Sequence, residues 1–391
     1  MRAPVAALDN GDPRVFCSRR VAIHPMTTRW LLGLVAALML LVVAAPARAD
    51  IGYLTEFGQG AGPDEQLNAP RAAVVDLAGS LYVSDTNNNR VRKSDANGGF
   101  ITYFGGPGSG DGELALPEGL AVDAQNNLYV VDTGHARVAK FSSGGRYLGQ
   151  FGPDAGGPGV NPLGTPSGVA VTKDGRVLVT DTSNDSLIAF APDGARTPAG
   201  RYFGGGSAPR GVALTDDDLV VVALEGYSQV KLWQLDSSAI GQTLLGIFDR
   251  PIGVAVDPGP AGEIWVADTG HGRVVRTGRA PGTPITSYVS QSPNAAVDPA
   301  DPEKRIFASP QYIAVDCRGN LYVPDAGQNR IEKYGDPAVG PPPCAPPPVS
   351  VGATFDLEVS GIEVTQATQK LDADVDAVRD LPAGGVARYD G

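Results

Sequence analysis

Short apolar runs recur along the chain in a fixed order, and the stretch from residue 117 to 151 illustrates it. Residues 119–122 form a first apolar run, and a turn containing Asn separates it from a second run at residues 128–131. An Asp-Thr loop follows, after which residues 137–141 alternate apolar and polar side chains and residues 147–151 end in Phe. Short apolar or alternating runs between turn-forming residues predict β-strands. The stretch therefore predicts four short strands in succession.

This order of strands repeats six times along the chain. The copies begin at prolines that are mostly 42 to 49 residues apart, namely Pro70, Pro117, Pro166, Pro209, Pro251 and Pro310. The last spacing is longer because of an insertion around residues 291–304. A period of this length, with four strands in each copy, is typical of a β-propeller blade. The pattern therefore predicts six blades.

The two ends of the repeat region indicate how the ring closes. The sixth copy ends after its third strand, at Tyr334, and has no fourth strand of its own. A strand of the missing type, Tyr53–Gly58, precedes the first copy. We expect this N-terminal strand to complete the last blade, because closure removes exposed sheet edges.

The repeated motif, PxGVAVD followed by GNLYVVDTGHxRV, resembles the NHL repeat. The resemblance extends over about residues 51–336 and implies an all-β fold, a six-bladed NHL-type β-propeller closed by the N-terminal strand. Copies 3 and 4 depart from the pattern. Thr172 and Ser186 stand where Asp and Arg are usual in copy 3, and copy 4 reads ALEGYSQV, without the Asp-Thr pair or the Arg.

The segment before the repeats has the pattern of an export signal. Arg29 precedes an apolar run at residues 30–45, which ends in Pro46 and a small-residue cleavage pattern before Asp50. Such a run predicts a secretory signal peptide within residues 1–49, with residues 1–25 a mis-assigned gene start. An uncleaved membrane anchor is the alternative. We therefore expect a secreted or extracytoplasmic protein whose propeller covers residues 50–336.

The segment after the repeats divides into two parts. Residues 337–349 are rich in Pro and predict a semi-rigid linker. Residues 350–391 alternate like strands and resemble the opening of a β-sandwich module, but they are too few to bury a core alone. We expect a truncated module or a disordered tail there. Cys317 and Cys344 predict a disulfide, because paired Cys are oxidised in exported proteins.

Composition and charge narrow the range of partners. The 51 Gly and 33 Pro fit a chain of short strands joined by many turns. The net charge is −12, although residues 1–49 hold six Arg and only two Asp, so the remainder is still more acidic. This charge argues against nucleic acid as a partner, and a membrane is expected only if the signal segment stays uncleaved. We expect a monomer.

Two Asp-Thr-Gly segments, at Asp132 and Asp268, raise the hypothesis of an aspartic-protease dyad. The repeat argues against it, because blades 2 and 5 are opposite in a ring of six and a dyad needs adjacent carboxylates. Equivalent acids also occur in other copies. We interpret the set as structural loop residues, in which each carboxylate accepts loop N–H groups: Asp85, Asp132, Asp181, Asp268 and Asp325. Gly134 and Gly270 are expected to take positive φ.

Other polar residues of the same loops are candidates for ligand binding. An Arg stands five residues after the Asp in four copies, where it can reach back to the carboxylate or stack on a neighbouring blade. Two copies carry a His in the loop. The candidate binding residues on this face are Arg90, His135, Arg137, His271, Arg273 and Arg330. A solvated loop His is the alternative for the two histidines.

The sequence favours binding over catalysis. No nucleophile elbow, phosphate loop or dinucleotide fingerprint is present. Two His cannot supply the three protein ligands of a catalytic zinc, and we predict neither a metal nor a cofactor. We therefore expect a non-catalytic exported scaffold that engages a protein, peptide or glycan. The alternatives are a metal-dependent lyase or lactone hydrolase with a site in the central channel, and an extracellular sensor domain.

Overall fold

The computed structural model describes residues 51–60, 62, 66–152, 163–237, 241–244, 247–258, 262–279, 285–289, 296–298 and 301–335. The predicted signal peptide, linker, C-terminal module and Cys344 lie outside these residues. Within the described ranges, regular structure consists of β-strands and four single-turn 3₁₀ helices. No helix in the described part is long and apolar enough to span a bilayer.

Five four-stranded antiparallel sheets, with strands in chain order, form blades 1 to 5. They follow β1 (Gly52–Phe57). Blade 1 contains β2 (Pro70–Val75), β3 (Leu81–Asp85), β4 (Arg90–Ser94) and β5 (Phe100–Gly105). Blade 2 contains β6 (Pro117–Val122), β7 (Leu128–Asp132), β8 (Arg137–Phe141) and β9 (Tyr147–Phe151). Blade 3 contains β10 (Pro166–Val171), β11 (Val177–Asp181), β12 (Ser186–Phe190) and β13 (Arg196–Tyr202). Blade 4 contains β14 (Pro209–Leu214), β15 (Leu219–Leu224), β16 (Gln229–Gln234) and β17 (Gln242–Thr243). Blade 5 contains β18 (Pro251–Val256), β19 (Ile264–Asp268), β20 (Arg273–Thr277) and β21 (Ile285–Val289).

The sixth blade joins the two ends of the ring, as the sequence predicts. A separate hairpin, β22 (Ala296–Asp298) and β23 (Asp301–Ile306), precedes it and falls in the predicted insertion. The blade contains β24 (Ala314–Val315), β25 (Leu321–Asp325) and β26 (Arg330–Gly335), and β1 is its outer strand. Tyr53 pairs with Tyr334, and Phe57 pairs with Ile331.

The innermost strands form the central ring. Each of β2, β6, β10, β14, β18 and β24 contacts the innermost strand of the next blade, and β24 contacts β2. Blades 6 and 1 are also joined by backbone hydrogen bonds, since Tyr312 N–H donates to the Arg71 carbonyl at 2.9 Å. The six-bladed ring is therefore complete.

The apolar core lies between the blades. Five clusters of buried side chains each join one pair of adjacent blades, and a sixth, between blades 1 and 2, also includes Ile252 and Tyr312. The second and third strands supply most of these residues because both of their faces are covered by neighbouring blades. The outer strands are more exposed, as the alternating burial of β9 shows. Stability therefore depends on each blade having a neighbour on both sides.

The outer strands of blades 3 and 4 differ from the prediction. Outer strands that end in Phe, like residues 147–151 of blade 2, are predicted at residues 201–203 and 244–248, whereas β13 covers Arg196–Tyr202 and β17 only Gln242–Thr243. A register shift between Leu187 and Ala189 accommodates the longer β13. Outer strands contact one neighbour only, so their sequences are less constrained by burial and their ends are harder to predict.

The seam between β1 and β26 buries charged side chains. Glu332 is fully buried and accepts hydrogen bonds from Arg330 Nη2, at 2.5 Å, and from the Tyr334 hydroxyl. Arg330 Nη1 lies 3.1 Å from a carboxylate oxygen of Glu56 on β1. Burial raises the pKa of the Glu332 carboxyl above its ordinary value, although Tyr334 and Arg330 oppose this shift.

Candidate functional site

The five loop carboxylates identified in the sequence bond each loop to the start of its own blade. All are fully buried at the end of the second strand of their blades. Each accepts at least one backbone N–H from the segment that leads into the first strand of the same blade, at 2.7 to 3.0 Å. The acceptors are Asp85, Asp132, Asp181, Asp268 and Asp325. Each of these carboxylates therefore joins the loop to the start of its own blade.

Three of the four predicted arginines complete the same arrangement. Arg90, Arg137 and Arg273 donate through Nε to the Asp of their own loop at 2.8, 2.7 and 2.6 Å. Arg330 does not, because its guanidinium turns to Glu332 and Glu56 at the closing seam. Gln328 donates to Asp325 at 3.0 Å. These arginines are held by buried or partly buried carboxylates rather than presented as an open binding surface.

The two loop histidines contact the same carboxylates as the arginines. Nδ1 of His135 lies 2.8 Å from Asp132, and Nδ1 of His271 lies 2.9 Å from Asp268. At the same loop position in blades 1 and 3, Asn88 and Asn184 donate to their Asp at 2.8 and 2.7 Å. The histidines therefore make the contact that asparagine makes elsewhere in the ring.

The predicted backbone role of the loop glycines is wrong. The residue with positive φ is the one that ends each 3₁₀ turn, such as Ala136 at φ 51°, and not Gly134 or Gly270. Gly134 is required by space, because a Cβ there would lie 2.7 Å from the Ala115 side chain. A Cβ at Gly270 would lie 2.2 Å from an Asp249 carboxylate oxygen.

The loops also connect neighbouring blades. The Thr that follows the Asp donates its hydroxyl to the carbonyl of the opening Pro in the next blade, at 2.7 to 2.9 Å. The donors are Thr86, Thr133, Thr182 and Thr269. Blade 4 has Glu225 at this position, and the Glu225 side chain makes a different contact, described below. Because copy 4 lacks the Thr, its loop does not make this side-chain hydrogen bond to the next blade.

A cluster of charged side chains occupies the mouth of the central channel on the loop face, which is the side of the ring that carries the Asp-Thr loops. Its members follow the opening Pro of their blades, at the end of the first strand nearest the loops. The Arg71 guanidinium in blade 1 lies 3.5 Å from the carboxylate of Glu118 in blade 2. The Arg210 guanidinium in blade 4 lies 3.9 Å from the other oxygen of Glu118. Blades 2 and 4 are not adjacent, so these side chains meet across the axis.

Glu225 extends this cluster from the loop of blade 4. Its carboxylate accepts a hydrogen bond from Arg210 Nε at 2.6 Å. Positive and negative side chains therefore alternate in space along the mouth, and their charges balance, in the order Arg71, Glu118, Arg210, Glu225. We call these four residues, together with Tyr312, the channel-mouth cluster.

Tyr312 forms the floor of the cluster. Four blades carry Gly two residues after the opening Pro, blade 1 carries Ala72, and blade 6 carries Tyr312. The Tyr312 hydroxyl donates to Glu118 at 3.3 Å. The first strands of blades 1 to 5, together with Tyr312 and Ile313 just before β24, line a cavity of about 40 Å³ on the axis. The channel is therefore narrow, and a ligand entering from the loop face meets Tyr312.

The environment of Tyr312 keeps its hydroxyl protonated. Burial raises the pKa of this phenol, the negative charge of Glu118 raises it further, and Arg210 opposes the shift. Tyr312 is therefore a hydrogen-bond donor rather than a base at neutral pH. Two buried atoms at the mouth, Arg71 Nε and Gln311 Oε1, have no hydrogen-bond partner among the described residues.

The mouth does not offer an evident metal site. Its two carboxylates, Glu118 and Glu225, are both engaged by arginines. Across the part of the chain that is described, no three His, Cys, Asp or Glu side chains are grouped so that they could hold an ion. A metal ligand set normally needs three or more such groups.

The channel-mouth cluster does not stand out in the sequence. A signal was present, because the residue after each opening Pro varies while its neighbours repeat: Arg71, Glu118, Ser167, Arg210, Ile252 and Gln311. Charged residues in three of six equivalent positions are unexpected on a first strand that is otherwise apolar. The loop motif was the more conspicuous feature, but its side chains bond within the loop and to the blades.

The fold and the repeated loops define a six-bladed β-propeller. The family model for the NHL repeat matches residues 114–141, 163–190 and 248–276, which lie in blades 2, 3 and 5. Blades 2, 3 and 5 therefore contain NHL repeats, and the described chain folds as a six-bladed β-propeller. No curated protein matches the chain.

Several solved structures share this fold at low sequence identity. A streptogramin B lyase structure is 16% identical, covers 72% of this chain and 97% of its own, and has a TM-score of 0.52. A gluconolactonase from Xanthomonas campestris is 17% identical, with coverage of 69% and 86% and a TM-score of 0.51. A Bacteroides thetaiotaomicron protein of unknown function is 18% identical, with coverage of 73% and 72% and a TM-score of 0.51. At these identities the similarity concerns the fold alone.

Proposed function

We propose that this propeller is an exported, non-catalytic binding module that engages its ligand at the loop-face mouth of the central channel. The ligand is a protein, a peptide or a glycan. The observation that carries the proposal is the channel-mouth cluster, in which charged side chains from blades 1, 2 and 4 converge on the axis. Such convergent polar groups at one concave position are typical of a ligand site.

Partial exposure supports a role in binding. The side chains of Arg71, Arg210 and Glu225 are 35%, 23% and 23% exposed, so a ligand can reach them from the loop face. The partly exposed Arg210–Glu225 pair contributes little to stability, about 0–1 kcal/mol, so stability does not account for its position. The residues of the network are also not part of the repeated motif, since the residue after the opening Pro varies among the blades.

The test is a binding screen followed by variants of the mouth. The exported full-length chain is screened against protein, peptide and glycan arrays, and each hit is titrated with wild type, Arg210→Ala and Glu118→Gln. We expect about tenfold or greater loss of affinity, while circular dichroism shows that the propeller is folded. Hits whose affinity is the same for wild type and both variants would refute a binding site at the mouth.

Export and the disulfide belong to the same proposal. We propose that the signal segment is removed near Asp50 and that Cys317 pairs with Cys344. The predicted partner, Cys344, lies outside the described residues. N-terminal sequencing of the exported protein and a non-reducing peptide map test the two points. An exported chain that still carries residues 26–49 would favour the anchored sensor instead.

The alternative, a metal-dependent lyase or lactone hydrolase, makes a distinct prediction. A purified enzyme of that type would contain about one equivalent of zinc or calcium, held at the channel. Metal analysis of the full-length chain before and after chelation separates the two hypotheses. Stoichiometric metal that is lost in Glu118→Gln would contradict the non-catalytic proposal.

A further inference from the structure

We infer that the channel-mouth cluster recognises a neutral, hydroxyl-rich ligand, and therefore a neutral glycan rather than a charged peptide. The inference rests on the proposed function and narrows its ligand class. It starts from the charge balance of the cluster, in which Arg71 and Arg210 are matched by Glu118 and Glu225.

A charged ligand group does not fit this balance. A carboxylate placed beside Arg210 would also lie beside Glu118 and Glu225, which contact the same guanidinium. An ammonium or guanidinium group placed beside Glu118 would lie close to Arg71 and Arg210. Like charges at such short range oppose binding, and the acidic protein as a whole also repels anions.

A hydroxyl group fits because it both donates and accepts. Arginine supplies only donors and an ionised carboxylate only acceptors. One ligand hydroxyl can therefore accept from a guanidinium and donate to the adjacent carboxylate without disturbing the ion pair. The alternating order of Arg71, Glu118, Arg210 and Glu225 repeats this opportunity along the mouth.

Two further observations favour a ligand with many hydroxyl groups. Gln311 is buried, and its Oε1 has no hydrogen-bond partner in the described structure, so this acceptor is unsatisfied. Gln311 occupies the same position after the opening Pro as Arg71 and Arg210. Ile252, at that position in blade 5, is buried and apolar and packs in the cluster that contains Tyr312. A sugar presents both an apolar ring face and hydroxyl edges, which this set of residues can match.

The loop of blade 4 adds an exposed aromatic residue near this cluster. Tyr227 lies two residues after Glu225 on the same 3₁₀ turn and is 39% exposed. Its hydroxyl donates to the Gly205 carbonyl at 3.1 Å, which fixes the ring orientation. Aromatic rings combine apolar area with a polar tip, and they suit amphipathic ligands.

The test uses charge as a specificity readout. The probes are an array of neutral hexose oligosaccharides, together with uronic-acid and glucosamine oligosaccharides of the same length. We expect wild type to retain neutral oligosaccharides and to bind the charged ones at least tenfold more weakly. Hits are confirmed by titration calorimetry with the full-length chain.

Two variants should shift this preference in opposite directions. Glu225→Gln leaves the mouth with one excess positive charge and should move selectivity towards uronic-acid oligosaccharides. Arg71→Gln leaves one excess negative charge and should move it towards glucosamine oligosaccharides. The matched controls Asp216→Asn and Lys173→Gln change the same charges at exposed turns on the opposite face, and they should leave selectivity unchanged.

The outcomes separate the inference from the proposed function. Opposite shifts in the two mouth variants, absent from the controls, support the neutral-glycan site. If a charged peptide binds, its affinity depends on Glu118 and Arg210, and no oligosaccharide binds, then the inference is wrong and the binding function stands. If neither oligosaccharides nor peptides respond to any mouth variant, both are wrong.

Discussion

The loop carboxylates give a quantitative test of the structure, and Asp132 is the best placed of them. Asp132 is fully buried and accepts three hydrogen bonds, from Ala115 N–H at 2.7 Å, His135 Nδ1 at 2.8 Å and Arg137 Nε at 2.7 Å. Replacing it with alanine removes all three acceptors at once. The Arg137 side chain is only 7% exposed, so its charge would remain buried without its carboxylate.

The expected cost follows from these contacts. Breaking a buried ion pair by removing one partner costs about 3–5 kcal/mol, because the remaining charge is uncompensated. Arg137 keeps hydrogen bonds to the Glu113 carbonyl at 2.8 Å and to Gln150 at 2.8 Å, which limits this penalty. We therefore expect Asp132→Ala to lower the free energy of unfolding by about 3–4 kcal/mol.

Urea denaturation of the full-length chain at neutral pH measures this change. Tryptophan fluorescence and circular dichroism should report the same transition if the propeller unfolds cooperatively. Asp216→Ala is the matched control, because the Asp216 side chain is 87% exposed and its removal should leave the midpoint unchanged. A loss below about 1 kcal/mol for Asp132→Ala would refute the assignment of these carboxylates as structural.

Three further outcomes are expected. Gly168→Ala should destabilise the ring by about 1–3 kcal/mol, because its Cβ would lie 2.3 Å from a backbone carbonyl oxygen of blade 4. Ala72→Gly, at the equivalent position of blade 1, should cost only about 0.5–1 kcal/mol. Urea unfolding measures both changes. Glu332→Gln should weaken the pH dependence of stability. The pKa of Glu332 is raised in the folded state, so the stability of the wild type falls as the pH rises above the ordinary carboxyl value of 4.5. The melting temperature, measured from pH 4 upwards, should therefore fall less in the variant than in the wild type. His135→Asn and His271→Asn should change stability by less than about 1 kcal/mol and leave ligand affinity unchanged, and a large loss of affinity would restore the histidines as binding residues.

Blade 4 shows how a repeat acquires a new role when its sequence departs from the pattern. Its loop has Leu224 in place of the buried Asp and Glu225 in place of the Thr that bonds the next blade. The apolar Leu224 side chain is buried and packs in the core between blades 3 and 4, so the ring retains stability there. Glu225 does not make the hydrogen bond to the next blade that Thr makes in blades 1, 2, 3 and 5, and it accepts a hydrogen bond from Arg210 at the channel mouth instead. The copy that fits the repeat least well therefore contributes most directly to the candidate site.

The sequence by itself determined the blades and their order. Strand boundaries in blade 2 match the pattern closely, since the predicted third and fourth strands coincide with Arg137–Phe141 and Tyr147–Phe151. Closure by the N-terminal strand was also predictable, because a sixth copy without an outer strand needs one from elsewhere. These features are local or periodic, and each repeat carries the information for its own four strands.

Only the tertiary structure decided which side chains meet. Arg71, Glu118 and Arg210 are separated by 47 and 92 residues in sequence, and they come together because ring closure places the same strand position of each blade around one axis. The conspicuous Asp-Thr-Gly-His motif has the opposite property: its contacts are formed mostly within one loop and the start of its own blade, so its role is fixed locally. The repetition of a loop is visible in the sequence, whereas the convergence of side chains at one axis depends on all six blades.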